Sequence, residues 1–226
     1  MCLATGPALC VCKLITAFGE IFLLSLLAMK ADISDLQPIV IFTAPSGAGK
    51  TSIVKHLLKK CPRLAFSVSA ATRQPRSDEV DGKDYYFLSL NDFQKKIQEN
   101  AFAEWEMVYE SKYYGTLRTE LERIWESNRV PILDIDVKGA IHVQQQYPLN
   151  TLSVFIQPPG VEELKKRLES RGTETKESLE TRLNKAEYEL SFSRHFKAII
   201  VNRELPQACR EAEVLIGDFL TAFYPE

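Results

Sequence analysis

Ile39-Val40-Ile41-Phe42-Thr43-Ala44-Pro45-Ser46-Gly47-Ala48-Gly49-Lys50-Thr51 is the stretch on which the reading of this chain turns. Its first four residues form a short, β-branched run suited to a strand buried on both faces. A Gly-rich turn follows. Residues 51–61 then carry Ile53, Val54, Leu57 and Leu58 at helical spacing, and Pro62 stops the helix. Strand, Gly-rich turn and helix in that order read as a phosphate-binding loop. Gly47 and Gly49 let backbone N–H groups turn inward at the positive end of the helix. Lys50 is placed to reach the β- and γ-oxygens of a nucleoside triphosphate, and the Thr51 hydroxyl to ligate Mg²⁺. Ala44 stands where the strict pattern has its first glycine, so the reading requires negative φ there. The competing reading is a Gly-rich turn with a chance lysine.

Outward from this stretch, strand and helix signals alternate. Strands are expected at 66–69, 130–135, 152–156 and 198–201, and helices at 137–146, 162–170, 176–193 and 206–223. The pattern predicts an α/β fold: a P-loop NTPase-type parallel sheet with helices on both faces. Two segments interrupt it. Residues 72–128 hold short aromatic-rich strands (84–87, 102–109) and read as a small inserted α+β lobe. Residues 158–196 are helical, polar and Arg-bearing, suited to a mobile helical lid. The expected organisation is an extension over 1–37 and one domain over 38–223, its core at 38–71, 129–157 and 197–223.

Composition fits a globular chain: 226 residues, 45% hydrophobic and 26% charged, long enough to bury a core without staples. The net charge of −2 gives no basic excess, so no nucleic-acid partner is expected and phosphate recognition must be local. Cys2, Cys10, Cys12, Cys61 and Cys209 form no Cys-x-x-Cys pair, and the three His residues lie at no ligand-like spacing to them. Neither a zinc site nor a secreted disulfide framework is expected; reduced thiols in a cytoplasm are the plain reading. The apolar beginning is broken by Lys13 and Glu20 into pieces too short to span a membrane. It reads as a weakly ordered extension, with Met29 as the initiator, rather than a targeting segment or a membrane tether.

The acceptor of the phosphoryl group is read from Phe66-Ser67-Val68-Ser69-Ala70-Ala71-Thr72-Arg73-Gln74-Pro75-Arg76. Two arginines three apart, in a loop leaving a strand, can converge on one phosphate as forked donors. Gly82-Lys83-Asp84-Tyr85-Tyr86-Phe87, Phe102-Ala103-Glu104-Trp105, Tyr113-Tyr114-Gly115-Thr116 and Ile132-Leu133-Asp134-Ile135-Asp136 follow. As a set these resemble the guanylate kinases, from about residue 38 to 220. The resemblance implies that Arg73, Arg76, Tyr85 and Tyr114 hold the GMP phosphate, while Ser69, Glu104, Thr116 and Asp136 read the guanine edge. The chemistry agrees, because guanine presents N1–H and an exocyclic amine, donors that want carboxylate acceptors. Taken singly, Glu104 could be a solvated carboxylate, the tyrosines core aromatics, and the arginines surface charges.

Asp134 and Asp136 end an apolar strand, and alternation sends them to one side, into the cleft at the strands' carboxyl ends. Asp134 is expected to hold Mg²⁺ through water. Capping of the next helix is the alternative, and it suits Asp136 better. In the lid, Arg167, Arg171 and Arg182 match the family's pattern. Arg171 and Arg182 are expected to close on the transferring phosphoryl group, with Arg167 as a supporting salt-bridge residue. Asn202 stands where the family contacts the adenine of ATP. The implied reaction is ATP + GMP to ADP + GDP, with dGMP as a further acceptor. A non-catalytic protein-interaction scaffold and a kinase for another acceptor are the rival readings.

Overall fold

The computed structural model describes residues 36–109, 111–170 and 176–225. Residues 1–35 of the expected extension lie outside the described residues, as does Arg171.

Five strands form an all-parallel sheet: β1 (Ile39–Thr43), β2 (Leu64–Phe66), β7 (Val130–Asp134), β8 (Thr151–Gln157) and β9 (Ala198–Val201), in the order β2-β7-β1-β8-β9. β1 is central and fully buried, pairing Val40 with Ile132 on one side and with Leu152 on the other. Its alternate residues serve two cores. Val40 and Phe42 pack with Ile53 and Leu57 of α1 (Lys50–Lys60) and with Ala212 and Ile216 of α7 (Leu205–Phe223). Ile39 and Ile41 pack with Leu121 of α3 (Arg118–Glu126) and with Ala140 and Val143 of α4 (Val137–Gln146). The two-residue period of the strand therefore puts helices on both faces, as the alternation predicts.

The strand expected at 66–69 is displaced. Only Leu64–Phe66 joins the parallel sheet, with Leu64 opposite Val130. After a last bond from Ser67 N–H to Ile132 O (3.0 Å) the chain leaves it, and β3 (Ala70–Ala71) enters a second sheet. That sheet has four strands in the order β4-β3-β6-β5, with β4 (Tyr86–Phe87), β5 (Phe102–Tyr109) and β6 (Lys112–Leu117). It packs on α2 (Leu90–Gln98) through Phe93, whose ring stacks on Phe102 at 4.3 Å.

The charged segment after β8 forms α5 (Val161–Glu169) and α6 (Lys176–Leu190), joined by Leu164, Leu168 and Ala186. A Cβ on Gly47 would lie 3.0 Å from Leu168 Cδ2 and 3.1 Å from Leu164 Cδ1. The root of this pair therefore rests directly on the phosphate loop. Among the described residues, no helix is long and apolar enough to cross a membrane.

Candidate active site

Between the two sheets lies an open cleft of about 420 Å³, at the carboxyl ends of β1 and β7, where an open α/β sheet places its ligands. The phosphate loop forms one end. Gly47 and Gly49 take φ of 90° and 95°, the left-handed region that side chains disfavour. Ala44 is not among the positive-φ residues, so the position stripped of its glycine needs none. At the head of α1, Lys50 makes an ion pair with Asp134 and donates to Ile135 O (3.2 Å). The Thr51 hydroxyl donates to Asp134 Oδ2 at 3.3 Å. Lysine, hydroxyl and carboxylate thus meet, from the loop and from the end of β7. Arg182 reaches over from α6, its Nη1 donating to Ser46 Oγ at 3.3 Å.

Asn202, just past β9, is buried beneath the loop and does not line the cleft. Its Nδ2 donates to Ala48 O (2.7 Å), and a Cβ on Gly49 would fall 2.3 Å from that nitrogen. Arg167 donates from Nη2 to Asn202 O (3.1 Å) and from Nε to Glu163 (3.0 Å), the supporting role expected of it. Together these residues brace the loop from behind.

The opposite end is built from side chains. Glu104 is buried and lines the cleft with Ser69, Tyr85, Tyr114 and Asp136. The hydroxyl of Thr116 stands behind it, fully buried, donating to Glu104 Oε1 at 2.6 Å. Burial pushes the Glu104 carboxyl up to about 8 against the Thr116 bond, and the nearby Asp136 and Glu106 carboxylates push the same way. Asp136 does cap the helix: its Oδ1 accepts from Gly139 N–H at 2.8 Å, while the side chain still borders the cleft. The absence of a side chain at Gly139 matters, because a Cβ there would sit 2.6 Å from Glu104 Oε2.

Arg73 lies with its guanidinium 4.7 Å from the centre of the Tyr85 ring and bidentate to Glu79, at 2.5 and 2.7 Å. The Glu79 hydrogen bond holds the guanidinium proton more tightly than usual. In turn the Arg73 bond, then the Arg76 N–H, bring the Glu79 carboxyl down to about 2. Neither arginine is among the cleft-lining residues: Arg73 stands behind Tyr85, which is, and the side chain of Arg76 is exposed.

Four acidic and basic groups were not legible as site residues. Glu120 of α3 is buried and accepts from Val68 N–H, Tyr86 Oη and Arg123, fixing the chain immediately beside Ser69 and Tyr85. Its own carboxyl, which burial would raise, ends up lowered because these donors outweigh burial. Glu106, Lys185 and Glu189 also line the cleft. Lys185 and Glu189 stand three and seven positions after Arg182, one helix face, and that spacing was the signal available for them. Burial raises the Glu189 carboxyl despite Lys185 at 3.7 Å.

The comparisons with known proteins bear on this geometry. The family model described as Guanylate kinase matches residues 36–218. The chain belongs to the guanylate kinase family. A guanylate kinase of Salinibacter ruber is 46% identical over 184 residues, covering 81% of this chain and 97% of that one. One from Bacteroides fragilis is 43% identical over 182 residues, covering 80% and 89%. The crystal structure of guanylate kinase from Anaplasma phagocytophilum superposes with a TM-score of 0.65 at 27% identity, covering 82% of this chain and 87% of that one. The guanylate kinase segment thus contains the loop, the second sheet and the helix pair that together enclose the cleft.

Proposed function

We propose that this chain transfers the γ-phosphoryl group of ATP to the phosphate of GMP, or of dGMP, in one reversible in-line step. An oxygen of the acceptor phosphate forms the new P–O bond as the bond to the β–γ bridging oxygen breaks. ADP leaves with that electron pair, and GDP is the other product. The observation that carries this reading is the pairing, in one cleft, of a phosphate loop with a buried Glu104 facing Asp136. Guanine supplies N1–H and N2–H donors to those two carboxylates; adenine has no N1–H and would leave Glu104 unpaired.

At the donor end, loop N–H groups and Lys50 cradle the β- and γ-phosphates, and Arg182 adds positive charge where the transition state gathers negative charge. Arg171 is assigned the same role from the lid sequence alone. Thr51 and Asp134 offer one hydroxyl and one carboxylate, hard oxygen donors suited to Mg²⁺. Among the described residues no cluster of three His, Cys, Asp or Glu forms a closed metal cage, and Mg²⁺ is usually held by such sparse sets plus waters and substrate phosphates. Thr51 would bind the ion directly and Asp134 through water; bound there, it would neutralise phosphate charge. At the acceptor end Arg73, Arg76, Tyr85 and Tyr114 orient the GMP phosphate, and Ser69 and Thr116 support recognition of the base. Catalysis is then positioning and electrostatics, with no covalent intermediate.

A coupled ADP-release assay with Mg-ATP and GMP, dGMP, AMP, CMP or UMP tests the proposal, with Glu104→Ala alongside. Turnover confined to guanine acceptors and lost in the variant is expected. Equal use of AMP would overturn the base assignment, and ATP binding without turnover would leave a binding scaffold.

A further inference from the structure

The bidentate pair at the acceptor end involves a carboxylate to which no role has been given. Arg73 and Glu79 are both well covered, their side chains 14% and 13% exposed. Both Nη1 protons of Arg73 are engaged, with Glu79 Oε2 (2.5 Å) and Gln74 O (3.1 Å), and one Nη2 proton goes to Glu79 Oε1 (2.7 Å). These bonds consume the end-on fork of the guanidinium. None of these bonds uses Nε–H or the second Nη2 proton, the coplanar side-on fork that itself matches two oxygens of a phosphate, and the Tyr85 and Tyr114 hydroxyls also stand within interacting reach of the guanidinium. The same Glu79 Oε2 accepts the backbone N–H of Arg76 at 2.8 Å, and Glu79 N–H closes the turn onto Arg76 O at 3.1 Å. One carboxylate therefore ties the side chain of one arginine to the backbone of the other.

A long arginine beside a cleft loses considerable rotamer freedom when it binds an anion, and prior fixation lowers that cost. Here the plane is set by the Tyr85 and Phe87 rings, 4.7 and 5.5 Å from the guanidinium carbon, and the rotation within the plane by Glu79.

We propose that Glu79 is a positioning residue for acceptor-phosphate recognition: it holds the Arg73 guanidinium end-on, so that the side-on fork faces the phosphate, and seats Arg76 by its backbone. This rests on the reading of the cleft as a GMP site. A carboxylate that merely occupied the seat of an absent phosphate would use the fork that the ligand needs and would hinder binding. The two roles predict opposite signs.

The test compares GMP with guanosine, which lacks only the phosphate, by calorimetry on the full chain. Glu79→Gln, whose amide cannot accept through both oxygens, should weaken GMP about tenfold, in keeping with loss of one charge-assisted contact, and leave guanosine unchanged. Glu79→Asp should fall between. Unchanged GMP affinity would overturn the assignment, and tighter binding would show a competing carboxylate. Parallel weakening of GMP and guanosine would show a disturbed lobe instead. A wild type that binds neither ligand would bring down the acceptor reading itself, and the role of Glu79 with it.

Discussion

The two ends of the cleft are made in different ways. The proposed donor end is one contiguous stretch of eight residues, 44–51, shaped largely by backbone direction: two left-handed glycines and a helix N-terminus, with the distant Asn202 bracing the loop from behind. The proposed acceptor end draws Ser69, Tyr85, Glu104, Tyr114 and Asp136 from separate segments, and it is built on side chains, the carboxyl of Glu104 buried among them. A backbone-built site can be recognised from one short stretch of sequence, although distant residues such as Asn202 still hold it in shape. A charge-built site depends on packing that removes water and on neighbours that set each protonation state.

Lys50→Ala should produce the largest effect that separates the two ends. We expect turnover to fall by at least about a thousandfold, as loss of phosphate-directed charge does in such sites, while the affinity for GMP stays near wild type. Equal loss of GMP binding in a binding assay would show that the ends are not independent. Glu104→Gln comes next. An amide can accept one guanine donor but sets its own N–H₂ against the other, so KM for GMP should rise about a hundredfold with KM for ATP unmoved. A matching rise for ATP in steady-state kinetics would break the contrast.

The third test uses protonation. Glu104 in the free protein has its carboxyl raised to about 8, and guanine donors require the ionised form. Apparent GMP affinity should therefore improve as pH rises from about 6.5 to about 8.5, by roughly tenfold per pH unit at most while the carboxyl is still mainly protonated. Stability runs the other way. Because the folded pKa lies above the unfolded one, the contribution of a neutral Glu104 is complete at acid pH and is lost as pH rises through about 8. Unliganded melting temperatures should thus fall from about pH 4.5 to about pH 8 and level off above it, less so in Glu104→Gln. A flat GMP profile would mean that Glu104 is already ionised in the empty cleft. The smallest effect is expected for Thr116→Val, which deletes one buried donor to Glu104: KM for GMP should rise a few-fold, and the pH midpoint should move up, since that hydrogen bond favours the carboxylate.

This contrast also explains what could be read before the fold was seen. The loop, the buried strands and the faces of the helices follow from short-range pattern, and their periods survive folding. The end of β2 did not. Phe66 to Ser69 has the same small and apolar character on both sides of the point where the chain changes sheets, so nothing local marks the departure after Ser67 N–H. The family pattern supplied Glu104 and Arg73, but not what surrounds them. Glu79, Glu120 and Glu189 look in sequence like ordinary acids of a turn or a solvated helix face. Only the tertiary arrangement turns them inward and gives each a cation or a run of donors to answer.

The parallel register of β1 carries a consequence for the order of events during synthesis. Val40 finds its neighbours at Ile132 and Leu152, so the strand that leads into the phosphate loop emerges early from the ribosome and waits for partners made much later. Asn202, which braces that loop, comes later still. Such non-local pairing is slow to close and leaves apolar strand exposed meanwhile. The first functional element to be translated is thus among the last to be finished, and a nascent chain stalled before β8 would carry a complete loop sequence with no loop to show for it.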